Sequence, residues 1–162
     1  MVICPPTYGM YSICGVVNDV GIVKVPLNNE NFDIIPEDIL GAIRADSDIK
    51  LVYITSPGNP TAKKVSEEKV LQVLKRVEEE SLNVIIILDE AYIDFAPVGS
   101  SMSTLVNRHP NLVVLQTLSK AFALAGIRLG ITFANRDISR LLNSMKYPYN
   151  ISNLTSDVAI RA

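Results

Sequence analysis

Four short apolar runs, GIVKVPL (21–27), LVYIT (51–55), NVIIIL (83–88) and NLVVLQT (111–117), lack the regular polar alternation of a strand with one wet face. Such runs suit strands covered on both sides, the condition of a parallel sheet. Parallel strands need long crossovers, and helical patterns stand between these runs. Pro36 in IIPEDILGAIR fits a first helical position, with Ile35, Ile39, Leu40 and Ile43 on its apolar side. Ser66 ahead of Glu67 and Glu68 marks another helix start. Behind it Val70, Val73, Leu74 and Val77 form one stripe at helical spacing. Asp137 to Lys146 predicts a further amphipathic helix ending near Pro148. The alternation predicts an α/β fold: three layers, a mostly parallel sheet with helices on both faces. At the two ends, MVIC reads as the last part of a strand and LTSDVAIRA as the opening turns of a helix, so a fragment is expected.

Composition narrows the function classes. With 48% hydrophobic and 20% charged residues among 162, the chain has the material for a buried core. A net charge of -2 argues against nucleic-acid partners or a basic membrane patch. Cys4, Cys14 and the single His109 show no metal-ligand spacing, and the cysteines read as reduced thiols. No run is long enough to span a bilayer, and the start reaches CPP too soon for a signal peptide. A cytoplasmic protein is expected.

In open α/β sheets, ligands gather at the carboxyl ends of the strands. Here LVYIT runs into SPGNPT, VIIIL into DEAY and VVLQT into LSK. Parallel strands would therefore project Asn59, Asp89, Tyr92 and Lys120 from one edge. Each motif alone stays open. DEAY is a strand cap, or the magnesium-holding acid of a P-loop ATPase, although no GxxxxGK[ST] loop is present. SPGNPT has plain turn composition. A lysine is exposed by default, but Ser119 before Lys120 and Arg128 eight residues on make an anion pocket. His109 reads as exposed, Tyr11 as packing, Asp94 as solvent-facing and Phe95 as core.

In this order and spacing, PPTYGMY, SPGNPT, DEAYIDF and TLSKAFALAGIRLG resemble the fold-type I aminotransferases that depend on pyridoxal 5′-phosphate (PLP). The resemblance runs from Pro5 to about Asn153, and CPPTYGMY with DEAYIDF favours the family's histidinol-phosphate branch. It implies that residues 1–162 are part of a PLP-binding large domain, lacking an N-terminal arm, a phosphate loop and a C-terminal small domain. It implies a homodimer taking a small-molecule amino donor and a 2-oxo acid acceptor. For that branch the reaction converts histidinol phosphate and 2-oxoglutarate to imidazole acetol phosphate and glutamate, in L-histidine biosynthesis. Lys120 matches the lysine that holds the PLP aldehyde covalently and then acts as base, and burial or nearby cations must lower its pKa. Asp89 matches the partner of the pyridine nitrogen, and Asn59 and Tyr92 the donors to the ring phenolate. Tyr8 matches the aromatic that stacks on the ring. Ser119 and Arg128, with Thr117 more weakly, match the phosphate ligands. Gly58 and Ala62 depart from the family's usual SPNNPTG, and Ala62 matters if its position needs positive φ. The resemblance leaves two alternatives: a non-catalytic PLP-binding or association module, and an aromatic aminotransferase.

Overall fold

In the computed structural model, which describes residues 1–162, the apolar runs pair into one six-stranded sheet of order β2-β1-β3-β4-β5-β6. Its strands are β1 (Val2–Ile3), β2 (Val23–Lys24), β3 (Leu51–Thr55), β4 (Ile85–Asp89), β5 (Leu112–Thr117) and β6 (Gly130–Ala134). The helices are α1 (Met10–Val17), α2 (Pro36–Ala45), α3 (Glu67–Glu79), α4 (Arg136–Met145) and α5 (Asn153–Arg161). The first five strands run parallel, and β6 returns antiparallel to β5 with Thr117 opposite Gly130.

Side chains alternate across each strand, and the two faces are unequal. Val2, Val52, Ile54, Ile86, Leu88, Leu112 and Val114 share a core with Ile39, Leu40 and Ile43 of α2 and Val70, Val73, Leu74 and Val77 of α3. Each such side chain, fully buried, stabilises the fold by about 1.5–3 kcal/mol before entropy is counted. On the opposite face Tyr11 of α1 packs on Tyr53 of β3, ring centroids 4.9 Å apart.

The connections change direction once. From β1 the chain moves outward through α1 to β2, then doubles back past β1 and travels through β3 and β4 to β5. Right-handed crossovers therefore set α1 on one face and α2 and α3 on the other. The crevice where the direction changes opens between the carboxyl ends of β1 and β3, where sheets of this order bind ligands.

Several local expectations need correction. Helix α1 was not expected, because PPTYG ahead of it carries turn signals. Its Gly15 permits a close approach: a Cβ there would lie 2.6 Å from Met1 Cε. Ile35 is the cap of α2 rather than part of its buried side, and Ile34 is the fully buried residue. Ser66 occupies the cap position of α3, yet its hydroxyl makes no capping bond. The Asp33 carboxylate instead accepts from Ile34 N (2.9 Å) and Ser66 N (3.1 Å) and pairs with Lys69 (2.9 Å), tying α2 to α3. Phe95, expected in the core, is 69% exposed, because a short 3-10 turn over Ile93–Phe95 buries Ile93 in its place. His109 is partly covered and lies 3.1 Å from Glu78. Both cysteines are free, and burial pushes the Cys4 thiol up to about 12. No helix is long and apolar enough to cross a membrane.

Candidate active site

The β3–β4 register pairs Thr55 with Asp89 at the last rung of both strands. Beyond that rung the parallel ladder ends, and side chains from four segments meet. Tyr8 follows β1, Asn59 follows β3, Tyr92 follows β4 and Lys120 follows β5. With Thr55, Asp89 and Ala91 they line one cavity of about 100 Å³. Five of the seven residues singled out in the sequence are thus brought together from positions up to 112 apart. A wider hollow of about 520 Å³ adjoins it, sharing Asn59 and Tyr92 and reaching Phe95 and Pro97.

Asp89 is held from two sides. One oxygen accepts from Ala91 N at 3.0 Å, and the other accepts from the Tyr11 hydroxyl at 2.5 Å. The Tyr11 hydroxyl also lies 2.9 Å from Thr55 Oγ1, which lies 3.1 Å from Thr7 Oγ1. Burial above all, then the Asp89 charge, holds the Tyr11 phenol far above its usual range. Burial raises the Tyr53 phenol as well. Asn59 Nδ2 reaches Tyr92 Oη at 3.4 Å, and Lys120 Nζ stands 5.3 Å from the Tyr92 ring centroid. Tyr8 is 46% exposed and meets Tyr11 edge to face.

The remaining two residues stand apart from this cavity. Ser119 N donates to Thr117 Oγ1 at 3.1 Å, and the two hydroxyls lie 2.9 Å apart. Arg128 is exposed, adopts a left-handed φ of 56°, and donates to Ala125 O at 3.0 Å. Lys120 is itself exposed in this chain. Three contributors escaped sequence reasoning. Thr55 and Ala91 carry no motif chemistry. Tyr11 had a signal, since it stands three residues after Tyr8, but it becomes visible only once α1 is known to begin between them.

This donor set fits a flat, charged pyridine that carries an aldehyde and a phenolate oxygen. A carboxylate fixed at the floor suits a ring nitrogen that carries a proton, and two donors lie beside it for an anionic ring oxygen. An aromatic wall and a primary amine complete the set.

The model of the class I and II aminotransferase family matches residues 1–162. A histidinol-phosphate aminotransferase of Candida maltosa is 61% identical over 165 residues, covering 100% of this chain and 41% of the relative. The enzyme of that name from Saccharomyces cerevisiae is 46% identical over 164 residues, covering 100% of this chain and 41% of its own length. Among solved structures, the histidinol-phosphate aminotransferase of Clostridium acetobutylicum superposes with a TM-score of 0.83 at 33% identity, over 93% of this chain and 44% of that one. The chain therefore spans about 41% of the length of the curated relatives it matches.

Proposed function

Because the chain belongs to the class I and II aminotransferase family, we propose that residues 1–162 form the cofactor floor of a PLP-dependent transaminase. The observation that carries this reading is the single cavity holding Lys120, Asp89, Asn59, Tyr92 and Tyr8 at the carboxyl edge of the sheet. PLP, when bound, supplies a ring able to accept the electron pair released from a substrate α-carbon. Asp89 keeps the pyridine nitrogen protonated. Asn59 and Tyr92 donate to the ring oxygen, and Tyr8 packs on the ring face. The Lys120 amine holds the cofactor and moves a proton at the substrate α-carbon. Ser119 and Arg128 bind the phosphate, Arg128 through Nη2 and Nε, since only its Nη1 donates to Ala125 O.

The names of the relatives support histidinol phosphate as amino donor; 2-oxoglutarate is the acceptor that the sequence resemblance implies. A cytoplasmic homodimer is the assembly proposed for the whole enzyme. For the 162-residue chain alone, little or no turnover is expected. Its cavity of about 100 Å³ is well below the ~300–1,000 Å³ of enclosed ligand sites, and its lysine is open to water.

Adding PLP to the chain is expected to give an absorbance band that borohydride fixes as a covalent adduct on Lys120. Lys120→Ala removes both the band and the added mass. Equal band and mass in the two proteins would overturn the assignment of Lys120. Robust transamination of histidinol phosphate by the 162-residue chain alone would overturn the expectation of little or no turnover.

A further inference from the structure

We propose that Tyr11 is a positioning residue for Asp89, the end of a one-way hydroxyl relay running Thr7 → Thr55 → Tyr11 → Asp89. The inference rests on the PLP reading above and adds a residue to it. An ionised carboxylate only accepts, so the proton in the 2.5 Å contact belongs to the Tyr11 hydroxyl. That hydroxyl has one proton to give. Its 2.9 Å contact with Thr55 must then be donated by Thr55, and the 3.1 Å contact between the threonines by Thr7. Every hydroxyl proton in the chain points toward Asp89.

The arrangement joins four separate elements. Thr7 lies between β1 and α1, Thr55 ends β3, Tyr11 belongs to α1 and Asp89 ends β4. Tyr11 is 8% exposed, so water does not readily replace its contact. Its ring is clamped between Tyr8, edge-on at 5.7 Å, and Tyr53 at 4.9 Å. A stiff aromatic thus sets the carboxylate's direction through the bond it donates. Ala91 N holds the other oxygen, leaving the free lone pairs of Asp89 for the ring.

Two readouts test this without measuring turnover. In the first, carbon NMR of labelled tyrosines reads the Tyr11 Cζ shift, which moves downfield when the phenol donates to a charged acceptor. Asp89→Asn replaces that acceptor with a neutral one, so the Tyr11 Cζ signal is expected to move upfield of its wild-type position. An unmoved Tyr11 signal would overturn the contact. In the second, PLP affinity is titrated by absorbance. Tyr11→Phe keeps the ring and loses the hydroxyl, and it is expected to weaken PLP by about tenfold while Lys120 still takes the borohydride adduct. Thr55→Val, which leaves Tyr11 and Asp89 intact, is expected to weaken it by about threefold, and it decides the matter if Tyr11→Phe does not fold. Wild-type affinity in both variants overturns the positioning role alone. No PLP uptake by the wild type overturns the reading beneath it, and the Tyr11 carbon shift still decides the Tyr11–Asp89 contact.

Discussion

Ala62 stands where the family's usual wording has glycine, and its φ is +54°. A left-handed residue with a Cβ is strained by about 1–2 kcal/mol. The turn holds it there: Ala62 N donates to Gly58 O at 2.9 Å and Gly58 N donates to Lys63 O at 2.8 Å. Ala62 is exposed, so glycine would lose no packing. Ala62→Gly is therefore expected to raise stability by about 0.5–1 kcal/mol, after the larger unfolded-state entropy of glycine is subtracted, as read by urea unfolding. Gly58 constrains the same turn from the other side. A Cβ there would meet Thr61 Oγ1 at 2.2 Å, so restoring the family's asparagine forces Thr61 to rotate. The two departures belong to the one turn that holds Asn59.

At the scale of elements, α2 and α3 are joined at both ends by charge. At their starts, Asp33 accepts two backbone N–H groups and pairs with Lys69. Asp33→Ala leaves those donors without a partner and is expected to cost about 2 kcal/mol in urea unfolding. At their far ends, Arg44 of α2 and Arg76 of α3 both bond Glu80, which lowers the Glu80 carboxyl from 4.5 to about 2. A carboxylate depressed in the folded state adds stability above its unfolded pKa and loses it as pH falls through the folded value. The Glu80 contribution is thus complete above about pH 5 and fades toward pH 2. Comparing wild type with Glu80→Gln across that range is expected to show the difference narrowing as acid is added. Its size is small, because the Glu80 side chain lies at the surface, 27% open to water, where solvent and salt screen it.

Across the whole molecule, stability is unevenly distributed. The core unites β1, β3, β4 and β5 with α2 and α3, whereas α4 and α5 contain no buried residue. Leu141, Met145, Tyr147, Tyr149, Leu154 and Ile160 are all exposed by 60% or more. Helices that bury little apolar surface open at low free-energy cost. Amide hydrogens of α4 and α5 are therefore expected to exchange well before those of β3, β4 and α3. Equal protection in both groups would contradict this division.

Much of this architecture was legible in the chain itself. Apolar runs of four to six residues, separated by helical stripes, specify a parallel sheet because only strands covered on both faces tolerate such continuous apolarity. The order of the motifs likewise placed Asn59, Asp89, Tyr92 and Lys120 on one edge, because parallel strands all end on the same side. What the sequence left undetermined depends on contacts between distant segments. The antiparallel return of β6 and the exposure of Phe95 and Lys120 depend on what packs beside them. The grip of Tyr11 on Asp89 joins residues 78 apart, and neither local propensity nor spacing encodes it. Local chemistry determined the elements and their edge; the reversal of chain direction at β1 decided which side chains meet there, because packing across separate crossovers has no periodic signature along the chain.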